Sequence, residues 1–315
     1  MSRIHDALKK AERERIATQD SDSTTLVPSP AEHVQSEQPP VASTLEGGTA
    51  LDTAFSSAAR GADFLRFDDL IATCSHPHWQ LDPNVNVFSK PGLSAQGAEQ
   101  FRTLRSRLYQ LRNDQPIRTV LVTSAGPGEG KTFVASNLAQ AIVRQPDRRV
   151  LLIDADLRCA RLHVPFRAPT SPGLSDYLRG GADEAAVVQC GENSNLCLIP
   201  GGEDVTNPSE LLSNGRLSNL LKRVAPVFDW IILDSPPCLP VADASILAEL
   251  CDAVLFVVRA GVTPSQAAQR ALQELQGRNV AGVVLNAVKE NDAYGAYYKQ
   301  GYGYGYAAAD AEHAS

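Results

Sequence analysis

The sequence predicts an α/β domain of the doubly wound kind, with helices on both faces of a mostly parallel sheet. Short continuous apolar runs such as Val150-Leu151-Leu152-Ile153 and Trp230-Ile231-Ile232-Leu233 recur along the chain, as strands buried on both faces do. Amphipathic stretches of helical period separate them, which is what crossovers between parallel strands require. A glycine-rich turn directly after the first run is the third sign, because such sheets bind ligands at their strand C-termini. With 315 residues, 43% of them hydrophobic, the chain can build one sizeable domain plus tails, or two small domains.

Residues 1–16 read as an amphipathic helix, with Ile4, Ala7, Leu8 and Ala11 on one side and Lys9, Lys10, Arg13 and Arg15 on the rest. Such a helix either stands in solvent or docks on a partner or an anionic membrane surface. Residues 17–61 are rich in Ser, Thr, Pro, Gln, Glu and Ala. They bury too little apolar surface to offset ordering entropy, so a disordered linker is expected. Residues 62–93 are expected to pack loosely on the domain edge.

The folded domain is expected over 94–290. Ser94 can cap a first helix striped by Ala98, Phe101, Leu104, Leu108 and Leu111. Strand Arg118–Ser124 leads through the glycine turn into a helix from Lys131 to about Arg144. Strand Val150–Asp154 is followed by a long irregular stretch with a short helix at Leu174–Arg179. Strand Leu196–Pro200 comes next, then a helix from about Pro208 with Asn207 as its cap. Strand Trp230–Asp234, a helix near Ala242–Glu249, strand Ala253–Val258, a helix over Pro264–Gln276 and strand Val280–Asn286 complete the alternation.

Charge and composition exclude several classes. A net charge of -7 and a pI near 5.4 argue against nucleic acid as a partner, since phosphate-backbone affinity needs clustered Lys and Arg. The longest apolar run, Ala253–Val258, is far short of the roughly 20 residues of a spanning helix, and the first residues lack the apolar core of a secretory signal. The six cysteines show no CxxC pair and no metal-ligand spacing, and reduced, buried thiols are the expectation. His76 and His78, flanking Pro77, read as loop residues.

The densest chemistry is Ser124-Ala125-Gly126-Pro127-Gly128-Glu129-Gly130-Lys131-Thr132. A glycine loop between an apolar strand and a helix is the context of a Walker A phosphate loop, so the fold is expected to be of the P-loop NTPase type. Backbone amides of Gly126, Gly128, Glu129, Gly130, Lys131, Thr132 and Phe133 are placed to cradle phosphates at a helix N-terminus. Lys131 is expected to reach the outer phosphates of ATP, and the Thr132 hydroxyl to ligate Mg²⁺. Ala125 stands where the general pattern has Gly. Asp154 and Asp156 end one apolar strand and Asp234 another, and parallel strands deliver all three to the edge that carries the loop. Acids there hold magnesium or accept a proton from an attacking hydroxyl.

Beyond the last strand, residues 291–315 form a flexible tail holding six of the eight tyrosines: Tyr294, Tyr297, Tyr298, Tyr302, Tyr304 and Tyr306. With only Lys289 and Lys299 nearby, stacking on nucleic acid is disfavoured. Phenolic hydroxyls on a chain that binds ATP read as phosphoacceptors.

The variant loop, the LLIDAD strand with Arg158 after it, the ILDSPP strand and the Tyr-rich end together resemble the bacterial protein-tyrosine autokinases (the Walker-type BY-kinases) of exopolysaccharide and capsule biosynthesis. The resemblance covers about residues 94–306. The opening Ser2–Glu12 also resembles the stand-alone kinases of exopolysaccharide systems. The resemblance implies that Lys131 and the loop bind ATP and that Thr132, Asp156 and Asp234 serve the magnesium. Asp154 is implied as base toward the tyrosine hydroxyl, with the division between Asp154 and Asp156 left open. It implies a homo-oligomeric ring assembled through a Glu-x-x-Arg-x-x-Arg helix, matched by Glu99, Arg102 and Arg105, which from sequence alone also read as a solvated helix face. One subunit's tail would enter its neighbour's site, and phosphate charge would loosen the ring. Since no spanning segment is present, the implied activator is a separate inner-membrane protein related to polysaccharide chain-length regulators. The chain itself is then cytoplasmic and peripheral at that membrane.

Two other functions fit a phosphate loop. A partitioning or positioning ATPase would carry a lysine where this chain has Gly126, so that reading lacks its diagnostic residue. A nucleotide-binding scaffold without activity is opposed by the intact Gly-Lys-Thr and the three acids.

Overall fold

The structure is a computed structural model and describes residues 66–89, 95–191 and 195–288. The 1–16 helix, the 17–61 linker, Ser94 and the tyrosine tail lie outside the described residues.

Seven strands form one sheet: β1 (Thr119–Ser124), β2 (Val150–Asp154), β3 (Gln189–Cys190), β4 (Leu196–Ile199), β5 (Trp230–Asp234), β6 (Ala253–Arg259) and β7 (Val280–Asn286), in the order β3-β4-β2-β5-β1-β6-β7. Every pairing is parallel except β3 with β4. The helices are α1 (Phe67–Thr73), α2 (Ala95–Asp114), α3 (Lys131–Val143), α4 (Leu174–Arg179), α5 (Glu184–Val187), α6 (Pro208–Ser213), α7 (Arg216–Val224), α8 (Asp243–Glu249) and α9 (Ser265–Glu274).

Because strand side chains alternate, each apolar run feeds two cores. Leu151 and Ile153 of β2 and Ile231 and Leu233 of β5 face one layer, made by α1 and α4–α9. Val150, Leu152, Trp230 and Ile232 face the other, made by α2 and α3. This two-sided burial is why the strands carry no polar alternation. Helix α3 runs from the glycine loop, and ten of its residues from Lys131 to Ile142 are buried.

Several elements differ from expectation. The sequence expects residues 62–93 to pack loosely, whereas Leu70 and Cys74 of the described part enter the core and Asn137 Nδ2 donates to the Val85 carbonyl at 2.8 Å. Asn207 makes no capping bond to α6; its amide donates to Glu210 Oε2 at 3.1 Å. Helix α7, with Leu217, Leu220, Leu221 and Val224 buried at helical spacing, has no counterpart in the sequence reading. Nor has β3, only two residues long. The expectation of reduced thiols fails at one pair: Cys190 and Cys197, opposite one another across β3 and β4, form a disulfide. Their separation of seven residues gave no hint of a hairpin.

Candidate active site

β1 ends at Ser124, and the chain turns through the glycines before α3 begins at Lys131. Gly128 and Gly130 adopt left-handed φ of 72° and 98°, a conformation that strains any residue with a Cβ. Gly130 caps α3 with no side-chain bond, so the first-turn amides remain for an anion.

Neighbouring strand ends brace the loop. The buried Glu129 accepts from the Ala125 amide through Oε2 (3.1 Å) and from the Thr263 hydroxyl through Oε1 (2.8 Å). Arg259 Nη1 donates to the Gly128 carbonyl at 3.1 Å, and its amide to Thr263 Oγ1 at 2.9 Å. Asn286 Nδ2 donates to the Glu129 carbonyl at 2.9 Å. A Cβ on Gly130 would lie 2.0 Å from that nitrogen, so a side chain there, already strained at φ 98°, would push the Asn286 amide off the Glu129 carbonyl. The Phe133 ring packs edge-on against Phe101, with centroids 5.7 Å apart.

The acids meet beside the loop. Parallel register sets Asp154 opposite Asp234. Thr132 Oγ1 donates to Asp234 Oδ2 at 2.5 Å, while Asp234 Oδ1 is buried with no hydrogen-bond partner among the described residues. Asp154 has no exposed surface; it accepts from the Leu162 amide at 2.8 Å and the Asp156 amide at 3.3 Å. Burial is the main force on both carboxyls. It pushes Asp234 up to about 7, against the pull of the Thr132 bond and the Lys131 charge. Asp154 is driven well above the usual carboxylate range, first by burial and then by the Asp234 charge. Asp156 is half-buried and accepts from the Cys159 amide at 3.0 Å.

Among the described residues, no group of three His, Cys, Asp or Glu side chains is arranged to hold a metal unaided. Magnesium fits this arrangement nevertheless, because it takes one or two carboxylates and completes its octahedron with phosphate oxygens and water. The unpartnered Asp234 Oδ1 and the adjoining Thr132 hydroxyl are donors of the right hardness.

An ion pair that sequence reasoning missed closes the far side. Arg158, just past β2, holds the fully buried Asp243 of α8 through Nε at 2.7 Å and Nη2 at 3.1 Å, and donates to Ser209 Oγ of α6 at 2.9 Å. An acid in the first turn of α8 reads in sequence as an ordinary helix-dipole partner, which is why it passed unnoticed. Thr263 went unnoticed as well, since a hydroxyl before Pro264 reads as a turn residue.

The three residues of the expected oligomer helix do not act alike within one chain. Glu99 and Arg102 pair at 2.8 Å on the exposed face of α2. Arg105 turns inward and donates to the Ala141 carbonyl near the end of α3 at 2.6 Å.

Residues 120–300 match the profile of the CobQ/CobB/MinD/ParA nucleotide-binding domain. The chain is 33% identical over 222 residues to the tyrosine-protein kinase YwqD of Bacillus subtilis, covering 69% of this chain and 92% of that one. It is 36% identical over 207 residues to the tyrosine-protein kinase etk of Escherichia coli, covering 65% of this chain but only 28% of that one. Among solved structures, the kinase domain of Escherichia coli ETK superposes with a TM-score of 0.59 at 34% identity, covering 66% of this chain and 80% of that one. The VpsO kinase domain gives 0.56 at 31% identity, covering 62% and 97%. The chain thus spans nearly all of one relative and under a third of a longer one. A phosphate loop, acids from two adjoining strands and these likenesses agree: the chain belongs to the CobQ/CobB/MinD/ParA nucleotide-binding domain family and, within it, to the bacterial tyrosine-protein kinases.

Proposed function

We propose that this chain transfers the γ-phosphoryl group of ATP to tyrosine hydroxyls, with Tyr294, Tyr297, Tyr298, Tyr302, Tyr304 and Tyr306 as its own acceptors. The observation that carries the reading is the join between Thr132 and Asp234, which leaves one buried carboxylate oxygen, beside the phosphate loop, without a partner among the described residues. Backbone amides of the loop hold the phosphates, and Lys131 sets positive charge against the outer ones. Thr132 and Asp234, with Asp156, would hold Mg²⁺, which when bound neutralises charge developing on the phosphate oxygens. The carboxyls at the end of β2 and just past it take the phenolic proton: Asp156 is the half-buried one that a substrate hydroxyl can reach, and Asp154, wholly buried, has its affinity for protons raised by burial. The phosphoryl group leaves ADP and bonds to the tyrosine oxygen.

Six tyrosines in thirteen positions among glycines support in-trans acceptance, since a tail of that composition reaches a neighbour's site at little conformational cost. A homo-oligomer built through the α2 face of Glu99 and Arg102, a separate inner-membrane activator related to polysaccharide chain-length regulators, and a role in exopolysaccharide polymerisation or export follow from the sequence resemblance. Within the described residues no helix is long and apolar enough to cross a membrane.

Incubating the full chain with Mg²⁺ and ATP, with the cytoplasmic segment of a candidate activator present, should place phosphate on tail tyrosines as read by mass spectrometry. Lys131→Met should abolish it. Hydrolysis of ATP with no phosphotyrosine under those conditions would refute the proposal.

A further inference from the structure

At the edge of the sheet farthest from β7, four strands away from β1, three sulfurs converge. Cys190 of β3 and Cys197 of β4 are bonded to each other. Cys74, the residue that ends α1, places its Sγ 3.4 Å from Cys190 Sγ. Backbone pairing holds the approach in place independently. Ser75 forms a parallel bridge with Gln189, the Cys190 amide donates to the Ser75 carbonyl at 2.9 Å, and the Ser75 amide donates to the Val188 carbonyl at 3.3 Å. Trp79 closes the same junction, lying so tightly over Gly191 that a Cβ there would meet the indole at 2.8 Å.

We propose that Cys74, Cys190 and Cys197 form an internal thiol–disulfide exchange site that can staple residues 66–89 covalently to the sheet edge. The Cys74 thiolate attacks Cys190 Sγ. The Cys74–Cys190 bond forms as the Cys190–Cys197 bond breaks, and the electron pair departs on Cys197 Sγ, which takes the proton Cys74 gave up. One disulfide replaces another, so no outside oxidant enters the balance. All three residues are buried, at 7% exposure for Cys74 and 0% for the other two, which keeps reagents in solvent away from them; burial also pushes the Cys74 thiol up, so the internal exchange is slow and quickens as pH rises.

The two bonds do different things to the chain. Cys190–Cys197 spans seven positions that the β3–β4 pairing already holds together. Cys74–Cys190 spans 116 positions and ties the segment leading back toward the N-terminus onto the domain. A crosslink closing the longer loop restricts the unfolded chain more. The exchanged form should therefore melt higher.

The test is disulfide mapping of the full-length protein held in a series of glutathione redox buffers, acid-quenched, alkylated, digested and read by mass spectrometry. Wild type should yield both the Cys190–Cys197 and the Cys74–Cys190 peptides. Cys197→Ser should yield the Cys74–Cys190 peptide and melt several degrees higher oxidised than reduced; Cys74→Ser should yield Cys190–Cys197 alone. The proposal is overturned if folded Cys197→Ser protein, checked by circular dichroism, shows Cys74 and Cys190 both fully alkylated in buffers that oxidise the Cys190–Cys197 pair in Cys74→Ser. Should the serine variant not fold, a wild-type series that never contains the Cys74–Cys190 peptide overturns it equally.

Discussion

Replacing Asp234 with Asn should change how the stability of the metal-free domain depends on pH. Asp234 is 1% exposed, one oxygen accepts from Thr132 at 2.5 Å, and the other has no partner among the described residues. Burial lifts its pKa from the ordinary 3.8 to about 7. Between those limits the folded state holds a proton that the unfolded chain has released. Stability is then fully present below the unfolded pKa and is lost as pH rises through the folded one. Each pH unit removes about 1.4 kcal/mol, and the whole window about 4 kcal/mol. Asn keeps the shape and still accepts from Thr132 but carries no titrating proton. It also removes the negative charge that, after burial, most raises Asp154, which is then held up by burial and the Asp156 charge. Urea unfolding at a series of pH values from about 4 to about 7, with chelator present, should show a shallower decline in the variant, by about 1.4 kcal/mol per unit. Adding Mg²⁺ should flatten the wild-type decline, because a cation favours the ionised carboxylate, and do much less to the variant. An Asp234→Asn variant with the wild-type slope would refute the reasoning, for Asp234 would then be ionised throughout.

Three other expectations follow from close contacts. Gly173→Ala would drive a Cβ to 2.4 Å from both the Pro200 carbonyl and the Gly202 amide, and should cost about 3 kcal/mol or more in urea unfolding. Gly130→Ala should weaken nucleotide binding in calorimetry, since its Cβ meets Asn286 Nδ2; adding Asn286→Ala should recover part of the loss and leave about 1 kcal/mol of backbone strain at φ 98°. Arg158→Met should destabilise the fold by about 3 kcal/mol in chemical unfolding, because buried Asp243 keeps, among the described residues, only the Ser209 hydroxyl.

Which parts of the fold were legible in the sequence follows from what each part is made of. β2 and β5 have the bounds the sequence reading assigned, because an unbroken apolar run buried on two faces admits few other readings; the edge strand β7, with Val283 and Leu285 exposed, and the helix α4 match their expected bounds as well. The missed elements are short or depend on distant partners. β3 exists because two residues pair backward onto β4, and nothing local in Gln189-Cys190 signals that. Helix α7 was missed despite a clear apolar stripe, because Gly215 at φ 80° breaks the chain between α6 and α7 where a single helix start had been read. Segment 66–89 has one short helix; its hold comes from Leu70 in the core and from Cys74 and Trp79 touching residues about a hundred positions away.

The site divides along the same line. The loop and the three strand-end acids were legible because each is a local pattern that the parallel sheet carries to one edge. Their chemical states were not, since a pKa of about 7 on Asp234 arises from burial, and its unpartnered oxygen from packing. The braces were hidden for another reason. Thr263 reaches Glu129 across 134 positions, Asn286 reaches the Glu129 carbonyl across 157, and Arg158 reaches Asp243 across 85. Nothing in the neighbourhood of any of them signals its partner: Arg158 stands out as the residue after the LLIDAD strand, but its pairing with Asp243 of α8 does not, and Thr263 and Asn286 meet the loop only through the fold. All three act on the geometry of groups that would touch phosphate, metal or tyrosine, and none need touch them itself. Substituting a brace should therefore act through the position of the loop and the acids, where a change at Lys131 removes a charge outright.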